Sequence, residues 1–285
     1  MDFWQSLTET DRCNAASMRR LLTVELAVVD GDRKQACKEI LGAASDEDLK
    51  ALRVPAKFAF MQVMKDSGPV DDEEYALWGR MYACHVTEDL KPCFVRELAE
   101  GMLQFSQTAE YENMRAYWPC LSAEEKLSCL KHVSRSLCEN LGVSMPAWNQ
   151  GEKLPKNVSG RYSAQKHAIE MNPETHPFKT MRGGIFTTVH ETTHALQVHM
   201  FQNRAHLPAA LQEQAEVFFW NHCFYIPSRL KALYREQPME KQANAVAGMV
   251  VLVLNKIGLL SPFPPQAAGV RVLQGKPVPC PGGRT

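Results

Sequence analysis

The stretch Gly183–Gln197 constrains this chain more than any other, because it contains the pattern His190-Glu191-x-x-His194. In a helix, residues four positions apart lie on one face, so the two imidazoles would be neighbours, rotated by roughly 40°. Two imidazoles at this spacing suit one zinc ion. Chance alone gives roughly 0.02 such matches in a chain of this length and composition. The stretch therefore predicts a helix with a metal site on one face.

The residues around this motif also favour a helix. Apolar positions recur every three or four residues, which indicates that one side of the helix is buried. The glycine pair Gly183-Gly184 precedes the motif, as is typical where a chain turns into a helix. We expect the metal-binding face to lie beside a buried stripe formed by Ile185, Phe186, Val189, Leu196 and Met200.

Glu191 lies about 100° round the helix from His190, so it can reach a water molecule on the metal but is badly placed as a ligand. We predict that Glu191 is a general base. A catalytic zinc usually has three protein ligands and one open position, so a third ligand must come from elsewhere. The metzincin class is excluded, because Gln197 and Met200 stand where its motif continues with glycine and histidine.

Three downstream carboxylates are candidates for the third ligand. Glu213 follows His194 by nineteen residues, and Glu216 is one helical turn further on. Glu240 is favoured, because Ala243 would share its helical face and let that helix approach the motif helix closely. We predict His190, His194 and Glu240 as metal ligands, with Glu213 and Glu216 as the alternatives.

The motif together with the downstream segment Glu240–Asn244 resembles the gluzincin branch of zincin metallopeptidases. The Glu-x-x-Ala-Asn pattern in that segment is similar to that of ImmA/IrrE-type bacterial proteases, and the strand-like Ile169–Pro173 is typical of minimal zincin domains. The resemblance covers roughly residues 122–258. The chain departs from it by a longer insert before Glu240 and by an N-terminal half that matches nothing. The resemblance implies a zinc peptidase fold with His190, His194 and Glu240 as ligands.

The function expected from these residues is hydrolysis of peptide bonds by a zinc-dependent metalloprotease. Zn²⁺ would lower the pKa of its water toward ~7, and Glu191 would take the proton and pass it to the leaving amine. Tyr234 is the predicted partner of the developing oxyanion, with Tyr225 and His222 as alternatives. Asn244 is a candidate to orient Glu240.

The expected fold is mainly α with a small β-sheet. Residues 1–117 predict a helical domain, 118–262 a minimal zincin-like metallopeptidase domain, and 263–285 a Pro- and Gly-rich tail. The helical signals begin at Asp11 and include capping patterns at Ser45 and Ser122, each with an acid three residues later. His167–Asn172 alternates and predicts a short edge strand, beside which an extended peptide substrate could bind.

Composition limits the kinds of partner and the cellular compartment that we expect for the chain. Lys plus Arg and Asp plus Glu are equal at 32 each, so no global charge attracts nucleic acid. The longest apolar run, residues 245–254, is far shorter than the ~20 residues that span a bilayer. Nine cysteines without a Cys-x-x-Cys pair, and no secretory signal, favour reduced thiols in a cytoplasmic setting. Such a protein is expected to be a bacterial regulator, or an effector delivered into a host cell by a signal-less secretion route.

Two other functional classes remain open at the level of the sequence. The chain could be a catalytically silent zincin-like scaffold that binds a partner and uses the metal only for structure. It could also be a zinc hydrolase of non-peptide substrates, because the metal chemistry does not depend on one acyl donor.

Overall fold

A computed structural model describes residues 33–52, 54–85, 94–150, 154–260, 271–273 and 276–278. The helix predicted to begin at Asp11 lies outside these residues. The described chain is mainly helical with a small three-stranded sheet, which confirms the predicted fold class.

Eleven α-helices and five short strands occur in the described part of the chain. The helices are α1 (Arg33–Ala43), α2 (Asp46–Ala51), α3 (Val54–Asp66), α4 (Asp72–His85), α5 (Val95–Phe105), α6 (Ala109–Tyr117), α7 (Ala123–Leu141), α8 (Met181–Gln202), α9 (Ala209–Cys223), α10 (Lys231–Glu236) and α11 (Pro238–Lys256). The strands are β1 (Ala147–Gln150), β2 (Gly160–Ser163), β3 (Ala168–Met171), β4 (Arg271–Leu273) and β5 (Lys276–Val278).

Contacts divide the chain into two compact units, and each is discontinuous in sequence. Unit 1 comprises residues 1–91 and 203–241, and unit 2 comprises residues 92–202 and 242–285. The sequence instead predicts three continuous segments, with boundaries at residues 118 and 263. That division into folding domains stays a prediction.

Aromatic side chains form the core of unit 1. Trp220 of α9 is fully buried and packs on Tyr82 of α4, with ring centroids 4.6 Å apart. The Tyr82 hydroxyl donates to the Phe224 carbonyl at 2.7 Å, so its polar end is satisfied inside the core. Helix α2 begins at Ser45 with the predicted capping box, in which Ser45 and Asp48 each accept from the other's backbone N–H.

Helix α7 has the boundaries that the sequence predicts. It begins after Ser122, whose side chain forms a capping box with Glu125, and it ends at Gly142 in the left-handed conformation with φ 66°. Its buried residues Leu130, Val133 and Leu137 belong to the hydrophobic core of unit 2. A local signal at each end therefore defines one of the longest helices in the described part of the chain.

The sheet of unit 2 has the strand order β1-β3-β2. Strand β3 confirms the strand predicted within His167–Asn172, but the prediction that it lies at an edge is wrong. It pairs in parallel with β1 and antiparallel with β2, so it is the central strand. Strands β1 and β2 were not predicted, because four residues each, rich in Asn, Gln, Gly and Arg, give little strand signal.

The C-terminal region contributes a small antiparallel pair, β4 with β5, in a segment that the sequence predicts as a tail. None of the described helices is long and apolar enough to cross a membrane. Cys37, Cys138 and Cys223 are free thiols. Burial raises the pKa of Cys37 to about 12 and that of Cys138 to about 11, so both stay protonated at neutral pH.

Candidate metal centre

Helix α8 carries the histidine motif, and its start is fixed by a threonine cap and two close contacts. The Thr180 hydroxyl accepts from the Gly183 backbone N–H at 3.0 Å. The glycine pair was expected to precede the helix, but it lies inside the first turn. A Cβ on Gly183 would meet the Pro177 carbonyl oxygen at 2.1 Å, and one on Gly184 would meet the Trp118 ring at 2.9 Å. The pair therefore permits close packing.

Most of α8 is buried, and much of what it buries is polar. Of its 22 residues 16 are buried, and seven of these are polar: Thr187, Thr188, Glu191, Thr192, Thr193, His194 and Gln197. The hydroxyls of Thr187, Thr188 and Thr193 donate to backbone carbonyls four residues earlier. Thr192 is hydrogen-bonded to Ser134 of α7 at 3.2 Å. These bonds satisfy the threonine hydroxyls, so none of the four is a buried hydroxyl left without a hydrogen bond.

The two motif histidines are adjacent, as the spacing predicts. His190 Nε2 and His194 Nε2 lie 3.1 Å apart, and the ring centroids are 4.7 Å apart at 87°. Two nitrogens on one tetrahedral zinc, each at about 2.05 Å, would be about 3.3 Å apart. The distance between the two nitrogens therefore fits a shared metal ion. Phe186, one turn earlier, stacks on His190 with centroids 6.4 Å apart.

Glu191 completes the group of potential metal-binding side chains. It is 5% exposed, and one carboxylate oxygen lies within 4.8 Å of a ring nitrogen of His190 and of His194. Strand β2 passes over it at Gly160, where a Cβ would lie 2.9 Å from Glu191 Oε1. Among the described residues, no other group of three or more His, Cys, Asp or Glu side chains meets this criterion. The proximity suits a base beside the metal position, and it also keeps Glu191 available as a ligand.

A hydrogen-bonded side chain orients His194 from behind. His194 Nδ1 lies 2.8 Å from Gln197 Oε1, and Gln197 Nε2 donates to Gln242 Oε1 at 2.7 Å. The sequence did not predict a role for these two glutamines at His194. The signal available for Gln197 was its position one turn after His194, where its side chain can reach the imidazole.

The three candidate carboxylates for the third ligand differ in burial. Glu213 and Glu216 are exposed on α9. Glu240 is 2% exposed at the start of α11 and accepts a hydrogen bond from the Tyr225 hydroxyl. A buried carboxylate with a dedicated donor has the character of a functional group, whereas an exposed helical carboxylate does not. Glu240 belongs to unit 1 and is not in the group around His190, so its role as a ligand stays a prediction.

Tyr225 was an alternative to Tyr234 as the oxyanion partner, and it is the tyrosine that contacts Glu240. Burial of the Tyr225 hydroxyl, followed by the nearby Glu240 carboxylate, raises its pKa well above the usual value. Tyr234 packs edge-on against Tyr225, with centroids 5.9 Å apart. Its predicted role and that of His222 stay untested. Asn244 is exposed, and its role in orienting Glu240 stays a prediction.

A cavity of about 130 Å³ lies elsewhere on α8, lined in part by His199 and by the turn before β3. In that turn His167 has a left-handed backbone with φ 44°. Its Nδ1 is hydrogen-bonded to the Tyr162 hydroxyl at 2.9 Å and its Nε2 to the Ser144 hydroxyl at 3.1 Å. Because both ring nitrogens are engaged, this network is best explained as support for a strained turn.

The chain matches no family description, no curated protein and no solved structure. The resemblance to gluzincins therefore depends on the residues of the motif and of the Glu240 segment alone.

Proposed function

We propose that the protein is a zinc-dependent metallopeptidase, with His190 and His194 as ligands and Glu191 as general base. The observation that carries this proposal is the 3.1 Å separation of the two Nε2 atoms, with the buried Glu191 carboxylate beside them. Zinc is favoured over harder cations because imidazole nitrogens dominate the donor set.

The residues divide the chemistry between them. A bound zinc ion supplies Lewis acidity, which acidifies water and polarises a carbonyl group. Glu191 accepts the proton from the attacking water at a carboxylate oxygen and returns it to the leaving amine. Its burial beneath β2 excludes bulk water and keeps that carboxylate near the two histidines.

The third ligand that we propose is Glu240, the buried one of the three candidate carboxylates. The Tyr225 hydroxyl donates to it and would hold one of its oxygens in place. Tyr234 stays the proposed oxyanion partner, and its ring packs edge-on against Tyr225.

A peptide substrate is favoured by the position of β2. This strand is at the edge of the three-stranded sheet, packs on α8, and begins at the glycine that lies against Glu191. An extended peptide could pair with the outer edge of β2 through its backbone groups and so extend the sheet by one strand. The edge function that the sequence assigned to β3 thus passes to β2.

The test uses the purified full chain and its Glu191→Gln variant. We expect about one zinc per chain in both proteins by metal analysis, because Glu191 is assigned to proton transfer. Cleavage of a mixed peptide library should fall by roughly 10²–10⁴-fold in the variant, the usual contribution of a general base. Loss of zinc from the variant would instead make Glu191 a ligand.

The same experiment separates the alternative functions. A scaffold would retain zinc and cleave no peptide in either form. A zinc hydrolase of another class would leave peptides intact but release product from ester or deacetylation substrates in a Glu191-dependent manner.

A further inference from the structure

Two buried glutamines form a chain of hydrogen bonds that ends on His194. Gln197 is fully buried in α8, and Gln242 is 4% exposed in α11. Gln197 Nε2 donates to Gln242 Oε1 at 2.7 Å, and Gln197 Oε1 lies 2.8 Å from His194 Nδ1. All three side chains belong to unit 2, so α11 is linked to a motif histidine through one intermediate side chain.

The direction of these bonds determines which imidazole nitrogen carries the proton. An amide oxygen only accepts and an amide nitrogen only donates. Since Gln197 uses its nitrogen toward Gln242, its oxygen must accept from His194, which places the proton on Nδ1. The lone pair then lies on Nε2, the atom 3.1 Å from His190 Nε2.

Reversal of both amides would give the opposite result. Gln242 would donate to Gln197, Gln197 would donate to His194 Nδ1, and the proton would move to Nε2. An imidazole protonated at Nε2 cannot bind a cation through that atom. The pair of amides therefore has one direction that is compatible with metal binding and one that is not.

We propose that Gln197 and Gln242 are positioning residues that hold His194 as the Nδ1-protonated tautomer before the metal binds. This inference rests on the proposed zinc site. The pair carries no charge, in contrast to the carboxylates that often support metal-binding histidines. It thus fixes the orientation and tautomer of the ring without adding negative charge to a buried site.

The first test reads the tautomer directly in the metal-free full chain, from ¹⁵N chemical shifts of the His194 ring. We expect the Nδ1-protonated form in the wild type and in Gln242→Glu, because a carboxylate can only accept from Gln197 Nε2 and so locks the observed direction. Gln242→Leu should shift the population toward the Nε2-protonated form. A wild-type ring protonated at Nε2, or a Gln242→Leu ring identical to the wild type, would overturn the proposal.

The second test measures zinc affinity by competition with a chromophoric chelator. Gln197→Met and Gln242→Leu should weaken binding by about 10–100-fold, whereas Gln242→Glu should stay near the wild type. Gln202→Leu is the matched control, since Gln202 is an exposed glutamine of α8, the helix that contains Gln197. Equal affinity of Gln197→Met and the wild type would contradict the proposal.

The two readouts distinguish this inference from the proposed function. A wild-type chain that binds no zinc contradicts the zinc site, yet the ring shifts in the metal-free protein still show whether the amides control the tautomer. Thermal unfolding of each variant identifies a loss of folding. Recovery in Gln242→Glu, together with loss in Gln242→Leu, would then exclude a purely structural role for the pair.

Discussion

The core of unit 1 and the motif helix of unit 2 are both buried, but they bury different chemistry. In unit 1, Trp220 and Tyr82 form an aromatic centre whose one hydroxyl donates to a backbone carbonyl. In unit 2, α8 buries seven polar residues, among them Glu191 and His194.

This difference separates buried side chains that stabilise the fold from buried side chains whose presence needs another explanation. Apolar burial contributes roughly 25 cal/mol per Å², whereas a buried hydrogen bond adds only about 1 kcal/mol net. The seven buried polar residues of α8 therefore contribute little to the stability of the fold. The hydrogen bonds that satisfy these polar residues, such as the one between Ser134 and Thr192, indicate that they serve the site instead.

The largest expected effect is on the aromatic core. Trp220→Ala should lower the free energy of unfolding of unit 1 by about 3–5 kcal/mol, because it removes a fully buried aromatic side chain. Amide hydrogen exchange in α4 and α9 would measure this loss. If the amides of α8 lost as much protection from exchange as those of α4 and α9, the two units would unfold together. Their stabilities could then not be compared separately.

A second prediction concerns Glu240, a buried carboxylate of unit 1. Glu240→Gln should lower zinc affinity by roughly 100-fold or more, because it removes a charged ligand. A 100-fold change in affinity corresponds to about 3 kcal/mol. Glu213→Gln makes the same chemical change on an exposed helix face and should leave zinc affinity unchanged. The reverse pattern in a chelator titration would make the Glu240 assignment wrong.

The smallest expected effect is the most specific for α8. The double variant Ser134→Ala, Thr192→Val removes both partners of a buried hydrogen bond, so neither is left unsatisfied. We expect its free energy of unfolding to stay within about 1 kcal/mol of the wild type, while each single variant costs more. Urea titrations of the three variants would check this. A large loss in the double variant would show that the polar pair stabilises the fold after all.

Local signals in the sequence predicted the helices best. Ser122 with Glu125 and the terminal Gly142 act within one turn, so they specify α7 without any tertiary information. The adjacency of His190 and His194 is equally local, because it follows from helical spacing alone.

The features that were missed depend on contacts that a helical pattern does not show, most of them between residues far apart in sequence. Strand β1 exists because it pairs with β3, which lies about twenty residues later. The glycines at 183 and 184 are explained by contacts with Pro177 and Trp118, and neither contact is visible in a helical pattern. The link from His194 to Gln242 spans 48 positions through Gln197, so only a folded chain reveals it.

The discontinuous units have a practical consequence for anyone dissecting the protein. The backbone passes between unit 1 and unit 2 at residues 91/92, 202/203 and 241/242, so three covalent links join them. A protease that cuts one link leaves two intact, and the halves stay tethered. A gene truncated near residue 118 would encode neither unit whole, whereas excision of residues 203–241 would remove Glu240 and leave Gln242 attached directly to the end of α8.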